Sequence, residues 1–338
     1  MVETRPLLTI AIPTYNRSKE LELLLSVLAP QLTGHPEIEL YISDNASPDD
    51  TPALVQRFEA DGLFARYHRH PENIGPDANF VSCFRAARGK YFWLFSDDDI
   101  ILPGTIDSLL SHITHSDFDI IYATSYGFRQ DYLAERQHDP MGRNFHTITS
   151  ARRMACVVNI MFTFVSGMIV NKERFDSIPH EDPSAFLSTN LVQLSWVLPL
   201  LLHHRRSLVL WNRPVAARQG AAGGYSLGVI FGEKLSSIVT RCLPGRPDLV
   251  GAITNFALRR WFPSVIFDLR ASGNQNLHLE EADAVLRSCY GSNFRYWLFT
   301  WPVIKLPLSL ARLWFKAGAL ISKAIYVLSV PGFWKKEI

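Results

Sequence analysis

The first 124 residues alternate between short apolar runs and stretches in which apolar residues recur at helical spacing. Leu7–Ile12 is a compact apolar run that ends at Pro13, and it predicts a buried strand. Further strands are predicted at Glu37–Ser43, Leu63–His68, Tyr91–Phe95 and Ile120–Thr124. Helices are predicted between them, at Ser18–Leu32, Thr51–Ala60, Asp77–Ala87 and Thr105–Ile113. This order predicts an α/β fold with a mainly parallel sheet and helices on both faces.

The second part of the chain has a looser pattern. Ser125 to Thr149 is interpreted as an irregular excursion, and Gly220–Gly224 as a glycine-rich connection. Strands are predicted at Ser166–Val170 and Ser207–Trp211, with a helix at Leu191–Leu202. Beyond the glycines the pattern is helical to the end. We therefore expect a catalytic domain at 1–225, a helical region at 226–292 and an amphipathic basic tail at 293–338.

Three consecutive carboxylates, Asp97, Asp98 and Asp99, directly follow the aromatic strand Tyr91–Phe95. Adjacent carboxylates repel one another unless a cation is present, and Mg²⁺ or Mn²⁺ favours carboxylate and phosphate oxygens. The alternative is a solvated turn that leads into the helix at Thr105. The sequence thus raises a divalent cation site here as a hypothesis.

Polar residues also follow the other predicted strands, whose carboxyl ends lie at one edge of a parallel sheet. Tyr15 could stack on a base and Arg17 could pair with phosphate. Asp44 could accept hydrogen bonds from a base or a ribose, although an Asx turn would also explain it. A third loop runs from Asn73 to Asn79 and offers amide and carboxylate groups before a helix.

The order of these motifs resembles the family 2 inverting glycosyltransferases. The resemblance rests on four runs: Thr9–Arg17, Ile42–Ser47, Asn73–Gly75 and Gly89–Asp99. It covers about residues 7–115, and Asn73–Phe80 with Gly223–Tyr225 resemble the abequosyltransferase-like branch of O-antigen assembly. It implies a GT-A fold, a nucleoside diphosphate sugar donor and a divalent cation, Mn²⁺ or Mg²⁺. The expected donor contacts are Pro13, Thr14, Tyr15, Arg17, Asp44, Asn73, Gly75, Asn79, Asp97 and Arg218.

The resemblance also indicates which residues bind the metal, and it shows that this chain lacks a carboxylate where the family has its general base. Counted back from Pro103, the family's D-x-D falls on Ser96-Asp97-Asp98, so Asp98 is the expected metal ligand and Asp99 the second candidate. Inverting transfer needs a carboxylate that takes the acceptor proton. Thr189 and Asn190 occupy the position where the family supplies Glu-Asp.

Two substitutes for the missing carboxylate and one lid residue complete the expected site. Glu181 and Asp182 lie shortly upstream of Thr189 and are the candidate bases, unless they belong to a polar surface loop. Arg218, beside the glycine-rich stretch, could reach the diphosphate as part of a lid. A non-catalytic protein that binds a nucleotide sugar is the alternative function if the base is truly lost.

Charge and composition narrow the class of protein. Residues 1–120 hold 9 Lys or Arg and 18 Asp or Glu, whereas 121–338 hold 25 and 14, which suits a metal site followed by contacts to an anionic partner. The four cysteines form no CxxC, which favours a reduced compartment, and the N-terminus lacks a signal-peptide pattern. The absence of Gly-x-Gly and of Gly-x-x-x-x-Gly-Lys argues against dehydrogenases and P-loop NTPases. No motif supports a nucleic-acid partner.

The C-terminal tail indicates a membrane partner. From Pro307 the chain has a helical pattern in which Arg312, Lys316 and Lys323 share one stripe and most other positions are apolar or aromatic. Such a helix is typical of proteins that lie on an anionic membrane surface, although a helix packed on the protein would show a similar pattern. We therefore expect a peripheral enzyme on the cytoplasmic side of the inner membrane. By family analogy its acceptor is a lipid-linked saccharide of surface polysaccharide assembly.

Overall fold

A computed structural model describes residues 5–220, 226–272 and 279–329 of the chain. The chain forms two compact units. The first comprises Met1–Ser150 and Phe162–Ala221, and the second comprises Ala151–Met161 and Ala222–Ile338. The expected boundaries at 225 and 292 stay predictions.

The first unit contains the sheet and the helices that cover it. Its strands are β1 (Leu8–Thr14), β2 (Ile38–Asp44), β3 (Ala65–Arg69), β4 (Tyr91–Leu94), β5 (Ile100–Ile101), β6 (Ile120–Phe128), β7 (Phe145–Ile148), β8 (Met168–Asn171) and β9 (Ser207–Arg218). Its helices are α1 (Ser18–Leu32), α2 (Thr51–Ala60), α3 (Pro76–Ala86), α4 (Thr105–Ile113), α6 (Lys172–Asp176) and α7 (Leu194–Leu202). A short 3₁₀ turn spans Pro183–Phe186.

The strands form one mixed sheet in the order β3-β2-β1-β4-β8-β6-β9-β5, with β7 paired to β9. Strands β3, β2, β1 and β4 are parallel neighbours, as are β6 and β9, whereas β8 runs antiparallel between β4 and β6. The predicted α/β fold with a mainly parallel sheet is confirmed. One expectation was wrong: Ser125–Thr149 is not wholly irregular, because β6 continues to Phe128 along β9 and Phe145–Ile148 pairs with the same strand.

Apolar side chains explain why these segments fold where they do. Strand β1 is buried along its whole length, and the leucines of α1 that face it are fully buried at 21, 24, 25 and 28. Gly89 sits where β4 approaches β1 so closely that a Cβ atom would lie 2.5 Å from the backbone nitrogen of Thr9. A side chain at this position would therefore force the two central strands apart.

The register of the parallel strands brings their carboxyl ends to one edge. Thr14 at the end of β1 pairs with Asp44 at the end of β2, and Asp44 pairs with Arg69 at the end of β3. Strand β4 lies on the other side of β1, with Leu94 beside Ala11. The loops that follow these four strands therefore meet at the same edge, as parallel pairing predicts.

The second unit is helical in its described residues. It contains α5 (Ala151–Val158), α8 (Leu235–Cys242), α9 (Pro247–Phe256), α10 (Phe262–Ala271), α11 (Leu279–Tyr290), α12 (Trp301–Lys305) and α13 (Leu308–Ser329). π-Helical turns at Gly228–Lys234, Ala257–Trp261 and Tyr296–Thr300 join several of them. Across residues 5–220, 226–272 and 279–329, no helix is both long enough and apolar enough to cross a bilayer.

Helix α13 turns its small side chains inward and its large apolar side chains outward. Ala311 and Ser322 are buried, and Gly318 packs against the ring of Phe299. The large apolar residues that stay exposed follow helical spacing: Leu310, Leu313, Trp314, Leu320 and Ile321. Arg312 and Lys316 are exposed on the same helix. The described part of α13 thus presents an uncovered apolar stripe with basic neighbours.

Candidate functional site

The loop after β1 meets the acidic cluster after β4. Thr14 Oγ1 donates to Asp97 Oδ2 at 2.8 Å, and Arg17 Nη1 lies 3.1 Å from Asp97 Oδ1 and 2.9 Å from Asp98 Oδ2. The second oxygen of Asp98 accepts from Ser96 Oγ at 2.6 Å. Residues 14 and 97, far apart in sequence, are thus brought together as expected, because β1 and β4 are adjacent parallel strands.

Burial governs the protonation of the outer two carboxylates. Burial raises the pKa of Asp97 to about 6, although the nearby guanidinium of Arg17 opposes this shift. Burial and the charge of Asp98 raise the pKa of Asp99 to about 7. Asp99 Oδ1 accepts from the backbone nitrogen of Arg218 at 2.9 Å, because β5 pairs antiparallel with the end of β9. A positive charge at this edge of the sheet would therefore favour the ionised forms of Asp97 and Asp99.

The acidic cluster fits a divalent cation that also binds a diphosphate. Asp97 and Asp98 each turn one oxygen toward a single cationic nitrogen, so two carboxylates converge on one position. Among the described residues, no three His, Cys, Asp or Glu side chains converge in this way. Two carboxylates suit Mg²⁺ or Mn²⁺, which fill the rest of their shell with water and substrate phosphates. Asp99 is directed to the backbone of Arg218 instead, so the geometry favours Asp98.

Asp44 lies at the expected edge but is fully enclosed. Its Oδ1 accepts from the backbone nitrogen of Ser47 at 2.8 Å, and its Oδ2 accepts from Tyr67 Oη at 2.5 Å. Arg69 Nε is 3.4 Å from the same Oδ2. Burial and the bond to Asp44 raise the pKa of Tyr67, so this hydroxyl stays a donor. Tyr15, by contrast, keeps 44% of its surface exposed and is open to a ligand.

Tyr67 and Arg69 were missed at the sequence level. They alternate along β3, and the β2–β3 register places Tyr67 beside Ile42 and Arg69 beside Asp44. The only sequence signal was a tyrosine and an arginine two residues apart at a strand end. Recognising their role required the register, which local periodicity does not specify.

Asn45 joins the first three loops into one framework. Its backbone nitrogen donates to Thr14 O at 2.9 Å, its Nδ2 donates to Asn73 Oδ1 at 2.9 Å, and its Oδ1 accepts from Ile74 N at 2.9 Å. Gly75 N also donates to Asn73 Oδ1, and Gly75 adopts a φ of +83° before α3 begins at Pro76. Asn73 and Gly75 therefore shape the edge of the site, as a glycine at positive φ permits.

Asn79 and Arg218 were expected to contact the donor, but in the structure their side chains contact other parts of the protein. Asn79 is buried and uses both ends of its amide on Ser43, with Oδ1 accepting from Ser43 Oγ at 2.6 Å and Nδ2 donating to Ser43 O at 3.2 Å. It therefore anchors α3 to β2. Arg218 ends β9 rather than lying on a lid, and its guanidinium stacks 5.0 Å from the ring centroid of Phe128. Of Gly220–Gly224, all but Gly220 lie outside the described residues.

The candidate bases Asp182 and Glu181 are not brought to the acidic cluster. Asp182 caps the turn Pro183–Phe186 and binds Arg85 Nη2 through both oxygens, at 2.9 and 3.0 Å. Arg85 lies in the last turn of α3, roughly 12 Å along the helix from Asp77 in the first turn. The capping bonds lower the pKa of Asp182. Both Asp182 and Glu181 are exposed, and this placement disfavours the sequence expectation.

Thr189 and Asn190 do reach the correct edge. Their backbone nitrogens donate to Asp77 Oδ2 at 2.8 and 2.9 Å, which ties their loop to the N-terminus of α3. Burial raises the pKa of Asp77, and the backbone N–H groups oppose that shift. The position that holds Glu-Asp in the family pattern is thus present in space but carries no carboxylate of its own.

Comparison with solved structures identifies the fold. TarS 1–349 from Staphylococcus aureus in complex with UDP matches with a TM-score of 0.59 and 16% identity, over 96% of this chain and 92% of that chain. The mannosyltransferase PcManGT from Pyrobaculum calidifontis, in complex with GDP-Man and Mn²⁺, matches with a TM-score of 0.51 and 15% identity, over 96% and 87%. The first unit, with its strand-end site, therefore has the GT-A fold of nucleotide-sugar transferases.

Sequence comparison gives the family. The profile of Glycosyl transferase family 2 matches residues 9–178, which is half of the chain, and the chain belongs to this family. Abequosyltransferase RfbV of Salmonella typhimurium is 30% identical over 183 residues, or 51% of this chain and 55% of that protein. A Campylobacter jejuni GalNAc(5)-diNAcBac-PP-undecaprenol beta-1,3-glucosyltransferase is 29% identical over 106 residues, or 31% and 34%. The matches span about half or less of these curated relatives.

Proposed function

We propose that this protein transfers a sugar from a nucleoside diphosphate donor to an acceptor hydroxyl, with inversion at the anomeric carbon. The observation that carries the proposal is the convergence of Asp97 and Asp98 on one cationic position at the edge where four strand-end loops meet. Arg17 lies beside the cluster and supplies positive charge for a diphosphate, while the backbone nitrogen of Arg218 holds Asp99 at the same edge. The donor is expected to be hexosyl or deoxyhexosyl.

Each loop has a proposed part in holding the donor. Tyr15 stacks on the base, since it is exposed at the end of β1. The enclosed Asp44 orients Tyr67 and Arg69 beneath the nucleoside. Thr14 Oγ1 holds Asp97 in place, and Asp98 is the principal ligand of the divalent cation. When bound, that cation neutralises charge on the departing diphosphate.

No residue has been assigned as the proton acceptor in this mechanism. A carboxylate must take the acceptor proton in a single displacement, and Thr189 and Asn190 supply none. Asp77 is engaged by their backbone N–H groups. This observation favours a second candidate function, a protein that binds a nucleotide sugar without transferring it.

A donor screen followed by an activity assay tests the proposal. Thermal shift with UDP-, GDP-, CDP- and dTDP-sugars, with and without Mn²⁺, should single out one nucleoside by preferential stabilisation. The selected donor should then be consumed when extracts containing lipid-linked saccharides are added. Stabilisation without consumption would favour the non-catalytic alternative, and no stabilisation by any donor would contradict the proposal.

We also propose a lipid-linked saccharide acceptor at an anionic membrane surface, in the assembly of a surface polysaccharide such as an O-antigen. The exposed apolar stripe of α13, flanked by Arg312 and Lys316, supports membrane contact. The Campylobacter relative is named for a saccharide linked to PP-undecaprenol, and the Salmonella relative is named for an abequosyl group. A peripheral position on the cytoplasmic side of the inner membrane would suit both. The aromatic and basic end of the same tail, Phe333–Lys336, lies outside the described residues.

A further inference from the structure

A single guanidinium nitrogen occupies the point on which the two metal-candidate carboxylates converge. Arg17 Nη1 is 3.1 Å from Asp97 Oδ1 and 2.9 Å from Asp98 Oδ2. The other oxygens of both groups are held by hydroxyls, Asp97 Oδ2 by Thr14 and Asp98 Oδ1 by Ser96. The two oxygens that accept no hydroxyl hydrogen bond are those that Arg17 contacts, and they are therefore the most available to a cation.

We propose that Arg17 is a built-in counter-cation which a divalent metal ion must displace, and which then turns to the diphosphate of the donor. The second half of this inference rests on the proposed function. Two positive charges that share the same two oxygens repel each other, so arginine and metal compete for the pair. A diphosphate that brings its own negative charge relieves this competition by offering Arg17 another partner.

The position of Arg17 allows such a movement. It is the residue directly before α1, so its backbone already lies at the helix entrance, and 40% of its side chain is exposed. The carboxylates are almost fully buried and are fixed by Thr14 and Ser96. The guanidinium is thus the mobile partner of the pair. An arginine at a helix N-terminus is also disfavoured by the helix dipole, so it depends on anions for compensation.

The competition predicts that removing the charge of Arg17 strengthens metal binding in the absence of nucleotide. Binding of Mn²⁺ alone, measured by the EPR signal of the free ion, should be roughly tenfold tighter in Arg17→Met than in the wild type. Arg57→Met is the matched control, because Arg57 is an exposed arginine of the same unit that pairs with Glu22. It should bind Mn²⁺ like the wild type. Arg17→Lys, which keeps the charge, should remain close to the wild type.

The same titrations in the presence of UDP or GDP test whether the Arg17 guanidinium moves from the carboxylates to the diphosphate. The nucleotide that binds should increase Mn²⁺ affinity in the wild type by a larger factor than in Arg17→Met, since only the wild type also releases Arg17. Should Arg17→Met melt early because its carboxylates lack a partner, added Mn²⁺ must raise its melting temperature more than that of Arg57→Met.

Several outcomes would overturn the inference. The inference is wrong if Arg17→Met binds Mn²⁺ no more tightly than the wild type. It is also wrong if Arg17→Lys binds Mn²⁺ as tightly as Arg17→Met is expected to, or if no variant binds Mn²⁺ even with nucleotide. None of these results depends on transfer. A failure of the proposed function would appear instead as the absence of any donor binding in the thermal-shift screen, which leaves the nucleotide-free titrations interpretable.

Discussion

At the scale of single residues, the site contains three buried carboxylates and one nearby guanidinium. Asp97, Asp98 and Asp99 are nearly enclosed, yet only Arg17 provides a full positive charge within 4 Å of Asp97 and Asp98 in the described part of the chain. Asp99 has a backbone N–H instead. Burial raises the pKa of Asp97 and of Asp99, so the cluster is suited to binding cations rather than to standing alone.

The first prediction concerns the metal ligand. Asp98→Asn should lower the transfer rate by about 10² or more, because leaving-group charge is greatest in the transition state. The melting temperature should change little, since the amide can turn its oxygen to Arg17 and donate its NH2 group to Ser96 Oγ, while the cluster loses one of three neighbouring negative charges. Asp99→Asn is the comparison and should keep more activity. If Asp99→Asn is inactive and Asp98→Asn is active, the metal ligand is Asp99 rather than Asp98. If both variants are active, the assignment of a metal site to this cluster is wrong.

The second prediction uses histidines with opposite pKa shifts. The hydrogen bond to Glu37 is the main reason that the pKa of His35 is raised, and the bond to Asp107 adds to it while burial opposes. The folded state therefore holds this proton more tightly than the unfolded state. The resulting stability is complete below the ordinary value of about 6.5 and is lost as pH rises through the raised pKa.

Melting temperatures of paired variants measure this effect. The difference between wild type and His35→Gln should shrink as the pH rises from about 6 to about 9. Burial lowers the pKa of His112, so the difference between wild type and His112→Gln should instead shrink as the pH falls below about 6.5. The same pH trend for both variants would contradict the assignment.

At the scale of elements, the loop that holds Thr189 and Asn190 depends on the first turn of α3. Ser188 and Asn190 adopt positive φ values of 62° and 57°, which are costly for residues other than glycine. Asp77 offsets this strain by accepting two backbone hydrogen bonds from the loop. Helix α3 thus connects the edge of the sheet to the segment expected near the acceptor.

The third prediction follows from this anchor. Asp77→Ala should lower the free energy of unfolding by about 1–3 kcal/mol, because two partly buried N–H groups lose their acceptor. It should also raise the KM for the acceptor more than the KM for the donor. Asp77→Asn retains one carbonyl oxygen and should show smaller effects. Equal effects on both KM values would mean that the loop does not serve the acceptor.

The fourth prediction concerns Asp182 at the other end of α3. Asp182→Asn should leave turnover nearly unchanged and cost at most about 1 kcal/mol of stability, since its pair with Arg85 is exposed. Glu181→Gln is tested beside it. A large loss of turnover with unchanged donor affinity would restore Asp182 as the proton acceptor.

At the scale of the whole molecule, the two units carry different surfaces. The first unit gathers polar loops at one sheet edge, whereas the second leaves Leu313 and Leu320 exposed to 65% and 72% on α13. An exposed apolar stripe of this kind supports the proposed interaction site on α13. Its basic neighbours favour an anionic lipid surface as the partner.

The fifth prediction tests that surface in the full chain. Leu313→Ser with Leu320→Ser should abolish most co-sedimentation with phosphatidylglycerol vesicles at low salt, while donor binding persists. Leu133→Ser with Phe64→Ser is the control, because both residues are exposed apolar positions of the first unit. High salt should weaken binding of the wild type, as screening reduces the contribution of Arg312 and Lys316. Unchanged sedimentation of the α13 variant would refute the membrane assignment.

Much of the fold and of the site could be predicted from local patterns. Alternating apolar runs and helical spacing located β1 to β4 and α1 to α4, because these elements bury residues at the period of their own backbone. Parallel pairing then placed Thr14, Arg17 and the acidic cluster at a common edge. The sequence by itself therefore determined the α/β class, the edge of the sheet where the strand-end loops meet and the residue types that are gathered there.

Only the tertiary structure decided which side chains touch. The antiparallel insertion of β8, the enclosure of Asp44 by Tyr67 and Arg69, and the pairing of Asp182 with Arg85 all depend on contacts between distant segments. The position of Arg17 between Asp97 and Asp98 depends on side-chain directions as well as on strand order. Local periodicity reports which face of an element is buried, but it contains no information on register or on the partner that covers that face.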